Sequence, residues 1–302
     1  MALKPYLQLV RLPNVFTAAA DSLAGWLLVR GTLSEPARWL PLCLASALIY
    51  AAGIALNDYF DFAIDQHERP NRPLPSGRVS CRFALALGIG MMGAGIALVS
   101  ISSPAVSMWV ALILALTVLA YDLYLKHTPI GPLAMGACRG LNLLLGLSAA
   151  PDFGGPVGWL AAGAFGLFVA GVTWISRSET RTGERSGPVF GWMLQNLALV
   201  GLLAAALQAG RFPEVNGIRP PIVPLEGLLV LLVVAWIVNA ATGRAVRSPI
   251  PAHLQQAVKT GVLSLVWLDV GLVAAVRGPT LALAVAVLWL PAFLLGKWLY
   301  ST

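Results

Sequence analysis

Apolar stretches about twenty residues long follow one another through almost the whole chain, and this repetition restricts it to a fold built inside a bilayer. Roughly twenty such residues in a helix cross a hydrocarbon core. In lipid the backbone polar groups must be satisfied within the segment or by a closed barrel. The stretches fall at 13–31, 39–60, 83–102, 104–123, 132–150, 156–176, 188–209, 222–242, 258–276 and 279–299. Only Arg277, Gly278 and Pro279 separate the last two, so a re-entrant pair is the alternative to two spans. The expected fold is therefore all-α, a polytopic bundle of nine or ten transmembrane helices. With 58% hydrophobic and 11% charged residues, a water-soluble globule and a disordered chain are both excluded. No connection is long enough to fold alone, so a single domain over 1–302 is expected. The basic, apolar N-terminus lacks a convincing small-residue cleavage site and reads as the first membrane helix. Cys43, Cys81 and Cys138 show neither paired nor zinc-type spacing.

The net charge of +7 raises the question of nucleic acid, but the basic residues cap apolar segments and form no stripe, so no nucleic-acid partner is expected. Their distribution instead tests the segmentation, since Lys and Arg collect in cytoplasmic loops. One side holds 14 of them, among them Arg11, Arg72, Lys126, Arg177 and Arg247, and the other holds 5. Arg139 lies inside a span. The basic-rich side, with both termini, is expected to be cytoplasmic.

The densest charge lies at the basic end of the second span, in NDYFDFAIDQHERPNRPLPSGR from Asn57 to Arg78. At about 100° per residue, Asn57, Asp58, Asp61 and Asp65 fall on one helical face. Three stacked carboxylates repel unless they are solvated or share a cation. All-oxygen donors suit a hard cation, Mg²⁺, held mainly through substrate phosphates. Arg72, stiffened by Pro70, Pro73 and Pro75, offers forked donors to phosphate oxygens.

NDYFDFAID followed by RPNRPLPSGRVS resembles the first aspartate motif of the UbiA-type intramembrane prenyltransferases, NDxxDxxxD then RPLxSG. That resemblance implies a bundle of usually nine spans that uses Mg²⁺ and an isoprenyl diphosphate to alkylate an aromatic or other small lipophilic acceptor within the lipid bilayer. It implies metal-binding roles for Asn57, Asp58, Asp61 and Asp65, diphosphate binding by Asn57 and Arg72, and catalytic roles for Asp61, Asp65 and Lys126. YDLYLKH, from Tyr121 to His127, is similar to the family's Tyr-x-x-x-x-Lys element and points Tyr121 and Lys126 toward the diphosphate. An interfacial tyrosine with a snorkelling lysine is the alternative.

The family's second motif, DxxxD, is absent from SRSETRTGERSG, residues 176–187. There Glu179 is the remaining candidate metal ligand, with Glu184 beside it, and Arg177 and Arg181 would carry diphosphate charge, unless the loop is merely solvated. ERPNRPLPSGR, GACRGLNLLLG and ISRSE together resemble an EboC-like bacterial branch of the family. A plasma-membrane enzyme of bacteria is what that likeness implies, with its site toward the cytoplasm as the excess of Lys and Arg on that side predicts.

Within the spans, Arg139 and Asn142 at i,i+3, Asp21 and Asp269 are costly unless paired or facing a cavity. An Arg–Asp pair and a substrate-binding role for Arg139 and Asn142 are both open. Asn14 and Asp21, seven residues apart on one face, are candidates for the acceptor side of the pocket. A membrane transporter and a family member that binds a diphosphate lipid without catalysis remain the competing functional classes.

Overall fold

The computed structural model describes residues 3–180, 185–212, 214 and 225–300; Arg181 and Glu184 lie outside them. The helices run in the order α1 (Lys4–Leu9), α2 (Leu12–Arg30), α3 (Pro36–Phe60), α4 (Phe62–Glu68), α5 (Cys81–Ser102), α6 (Ala105–Leu123), α7 (Gly131–Leu147), α8 (Gly155–Arg177), α9 (Ser186–Leu207), α10 (Leu225–Arg247), α11 (Pro251–Arg277), α12 (Pro279–Ala286) and α13 (Trp289–Tyr300). Among the described residues there is no strand, and nine segments are long and apolar enough to cross a membrane. The tenth expected span is α7, at 17 residues shorter than the others. At 1.5 Å per residue α11 reaches about 40 Å, a full crossing by itself. The last span is made of α12 and α13, broken at Val287 and Leu288.

Local sequence explains the helix ends. Proline stands in the first turn of α2, α3, α7, α8, α11 and α12, where no N–H partner is lost. Gly31 closes α2 in the left-handed region, φ 57°, and its N–H bonds to Leu27 O. At α5, Ser80 Oγ accepts the N–H of Phe83 at 3.2 Å.

The most buried spans, α2, α8 and α11, lie at the centre, while α5, α6, α10 and the α12–α13 span turn apolar side chains such as Ile101, Trp109 and Trp236 outward to lipid. Small residues let the central helices touch. A Cβ at Gly25 would overlap Leu143 O, and one at Gly146 would overlap Ser22 O, so α2 and α7 pack backbone to backbone. Gly146→Val should therefore destabilise the protein by about 1–3 kcal/mol, seen as a lower unfolding temperature in detergent. An unchanged transition would contradict this contact.

That close approach lets α2 and α7 share a polar core. Arg139 Nη1 pairs with Asp21 Oδ2 at 2.5 Å, and Arg139 Nη2 donates to Thr17 Oγ1 at 2.5 Å. Asn142 Nδ2 donates to Asp21 Oδ2 at 2.9 Å and to Ala18 O at 2.8 Å, and Ser46 Oγ of α3 donates to Asn142 Oδ1 at 2.7 Å. Asp269 of α11 is fully buried and faces Asp21. Arg139 and Asp21 are thus paired between α2 and α7, while both carboxylate oxygens of Asp269 in α11 lack a hydrogen-bond partner beside them.

Candidate active site

The basic ends of α3, α6 and α8 converge, and α4 lies across them. Asn57 to Asp65 do not form one uninterrupted face, as helical periodicity suggested. The chain breaks at Asp61 (φ −86°, ψ 4°), which ends α3 and begins α4. The i→i−4 bonds from Asp61 N to Asn57 O and from Asp65 N to Asp61 O survive, at 2.9 and 2.8 Å. Below the bend packs the proline-rich loop, anchored by Leu74 and Val79 against Leu9, Ala55 and Ala84. Gly77 turns this loop at φ 71°, and Ser76 Oγ donates to Arg72 O at 2.6 Å. These contacts fix Arg72.

Asp58 and Asp65 consequently share Arg72, while Asp61 turns to Lys126. Arg72 Nη1 lies 2.5 Å from Asp65 Oδ2 and 3.5 Å from Asp58 Oδ1. Arg11 Nη2 reaches the same Asp58 oxygen at 3.5 Å. Lys126 Nζ, in the short turn Leu125–His127, pairs with Asp61 Oδ1 at 2.6 Å. Asn57 Nδ2 donates to Asp122 Oδ1 at 3.1 Å.

Three chambers surround the bend. A cleft of about 310 Å³ is bounded by Asp61, Asp65, Tyr121, Lys126 and Arg177, five of the residues singled out from sequence. Arg177 braces its wall, donating to Thr128 O at 2.7 Å and to Lys126 O. Beneath it an internal cavity of about 190 Å³, mostly apolar, runs from Asn57 and Asp122 toward Arg139 and Asn142. On the other flank of α4 opens a cleft of about 850 Å³ that includes Asn14, Asp58 and Arg72. Asn14 and Asp21 therefore share a helix but no chamber, because Asp21 is sealed against Arg139.

Glu179, in the turn Ser178–Thr180, does not line the cleft with Asp61; it hydrogen-bonds with Gln255 and feels the charge of Arg69. Burial nonetheless holds its carboxyl above the usual range. Among the described residues no three Asp, Glu, His or Cys side chains gather closely enough to cage a metal. Asp61 and Asp65 do offer hard oxygen donors at one open cleft beside Lys126 and Arg177. This donor set fits Mg²⁺ that takes most of its ligands from phosphate oxygens and water.

Two residues were not recognised as site residues from sequence. Asp122, 4% exposed, has Oδ2 without a partner at the wall of the internal cavity. Its signal was a carboxylate inside an apolar span, directly after Tyr121. Arg11 reads in the sequence only as a span-end cation, yet it lines both the internal cavity and the large cleft.

Residues 18–247 match the UbiA prenyltransferase family. The chain belongs to that family. As a UbiA family member it shares the fold of a UbiA homolog from Aeropyrum pernix K1, with a TM-score of 0.68 at 17% identity over 85% of this chain and 96% of that one. A UbiA homolog from Archaeoglobus fulgidus bound to GPP and Mg²⁺ superposes with a TM-score of 0.56 at 15% identity, over 89% of this chain and 99% of that one. In sequence, the chain is 34% identical over 145 residues to digeranylgeranylglyceryl phosphate synthase of Metallosphaera sedula, which covers 48% of this chain and 51% of the relative. The chain thus matches about half the length of that curated relative.

Proposed function

We propose that this UbiA family member transfers a prenyl group from an isoprenyl diphosphate to a lipophilic acceptor inside the membrane, with Mg²⁺ and with its basic end toward the cytoplasm. The observation that carries this reading is the cleft where Asp61, Asp65, Tyr121, Lys126 and Arg177 meet above an apolar cavity. A charged head and an apolar tail of one substrate fit those two chambers. The Archaeoglobus fulgidus relative bound to GPP and Mg²⁺ supports the same substrate class. The excess of Lys and Arg on the side carrying Asp61 and Lys126 supports the orientation.

Asp61 and Asp65 would hold Mg²⁺ together with the diphosphate, and the chemistry Mg²⁺ supplies when bound is neutralisation of the leaving group's charge. Lys126 and Arg177 lie at the same cleft, where their charge orients the diphosphate and favours its departure. Asp61 and Asp65 hold Lys126 and Arg72 in place before substrate arrives. The apolar walls, among them Ile49, Leu114 and Val118, keep water from the allylic carbon, so the acceptor captures it instead. The name of the Metallosphaera sedula relative makes a glycerophosphate-type lipid the first acceptor to test, ahead of an aromatic one. Release of diphosphate by purified protein supplied with an isoprenyl diphosphate, Mg²⁺ and such an acceptor should depend on all three. Release that needs no acceptor, or none at all, would contradict the reading.

A further inference from the structure

One carboxylate in the wall of the internal cavity has no part in the chemistry described so far. Asp122 lies buried near the end of α6, and its two oxygens differ. Asn57 Nδ2 donates to Oδ1 at 3.1 Å and so holds the group in place, while Oδ2 has no hydrogen-bond partner. The cations of the site have carboxylates of their own: Lys126 pairs with Asp61, Arg11 with Asp58 and Arg139 with Asp21. A buried acceptor left without a donor is costly and calls for a reason. The space beside it belongs to a glycine. A Cβ at Gly53 of α3 would lie 3.9 Å from Asp122 Oδ2 and 2.6 Å from Val118 Cγ1, so the bare glycine keeps the cavity open at this carboxylate. Asp122 also stands at a junction. Tyr121, the residue before it, lines both this cavity and the cleft of Asp61 and Lys126, and Arg11 lines both the cavity and the large cleft. The carboxylate therefore borders the place where a charged head gives way to an apolar tail, with a second entrance at Arg11.

We propose that Asp122 Oδ2 takes a hydrogen bond from the nucleophilic hydroxyl of the acceptor, so that this aspartate selects a hydroxyl-bearing acceptor and sets its oxygen beside the allylic carbon. The assignment rests on the prenyl-transfer reading and adds the acceptor's contact to it. Of the two substrates only the acceptor can fill this role. An isoprenyl diphosphate brings alkyl groups and anionic oxygens, and neither donates to a carboxylate. A hydroxyl whose hydrogen is bound at Oδ2 keeps a lone pair free for the allylic carbon, whereas an ammonium has none. The hydroxyl of a glycerol-type lipid and that of a phenol share this chemistry.

The test uses the full chain in neutral-lipid nanodiscs, titrated calorimetrically with two matched pairs, an alkylglycerol and its dimethyl ether and a 4-alkylphenol and its methyl ether. In at least one pair the hydroxyl compound should bind about tenfold or more tighter than its ether, the scale of a hydrogen bond to a charged group. The pair that shows the contrast tells a glycerol-type acceptor from a phenol. In Asp122→Asn the amide oxygen stays with Asn57 Nδ2 and the amide nitrogen turns to the cavity, a donor in place of an acceptor. That variant should bring the two members of the pair within about threefold of each other. In transfer assays it should raise the acceptor's KM with the KM for isoprenyl diphosphate held within about twofold. Equal or absent binding of the hydroxyl and ether compounds in both pairs would overturn the proposal, and so would a contrast that survives Asp122→Asn. A loss of Mg²⁺-dependent diphosphate affinity of roughly tenfold or more in that variant would tie Asp122 to the metal instead and overturn it too. If wild-type protein transfers no prenyl group to any acceptor, the activity fails, while the binding contrast still decides the contact at Asp122.

Discussion

Asp61→Asn is expected to lower the Mg²⁺-dependent affinity for an isoprenyl diphosphate by roughly 30-fold or more, the scale of removing one member of a partly desolvated, hydrogen-bonded charge pair. The carboxylate sits at the α3–α4 break, with 22% of its side chain exposed and Lys126 Nζ at 2.6 Å. Losing it would remove a hard oxygen donor and release Lys126, proposed above to orient the diphosphate. Little apolar packing depends on Asp61, so the unfolding temperature should stay close to that of the parent. Asp65→Asn should reduce binding similarly but also loosen the loop, because Asp65 is buried and holds Arg72. Calorimetric titration with and without Mg²⁺ checks both variants. Unchanged binding in the double variant would mean that these carboxylates are only counter-ions for Lys126 and Arg72.

Arg139→Leu should have the largest effect on stability, about 3–5 kcal/mol, as expected when one partner of a buried ion pair is removed. Asp21 is fully buried and would lose its ion-pair partner, Asp269 would lose the nearby positive charge, and Thr17 would lose its donor. Asp21→Asn should cost less, since an amide can still accept from Arg139 and no carboxylate loses its counter-charge there. Thermal unfolding in one detergent, compared across the three proteins, checks the order. A transition for Arg139→Leu equal to the parent's would contradict the paired network.

These two expectations differ in how far the sequence foreshadows them. Asp58, Asp61, Asp65 and Arg72 are visible because charge concentrates at one span end, and Lys126 is visible because it follows Tyr121 at a family spacing. Helical periodicity does not foresee the break at Asp61, where the local backbone changes direction while the i→i−4 bonds continue. The face is therefore divided among Arg11 and Arg72 at Asp58 and Asp65, Lys126 at Asp61 and Asp122 at Asn57. Arg139 and Asp21 stand out as charges inside apolar spans, but their meeting depends on the glycine contact between α2 and α7, far apart in sequence. Arg11 and Asp122 escaped notice because each has an ordinary local role, a span-end cation and a neighbour of Tyr121. Only tertiary packing sets Asp122 against Asn57, 65 residues away, and Arg11 between two chambers. Glu179 is the converse case: its motif position suggests a metal ligand, while the fold joins it to Gln255.

Mass spectrometry of purified protein incubated with a panel of isoprenyl diphosphates and with glycerophosphate-type and aromatic acceptors, with and without Mg²⁺, tests prenyl transfer most directly. The account predicts an acceptor heavier by one prenyl group, formed only with Mg²⁺ and lost in the Asp61→Asn, Asp65→Asn double variant. Binding of the diphosphate with no prenylated product from any acceptor would contradict it, leaving a family member that holds the lipid diphosphate without transferring it.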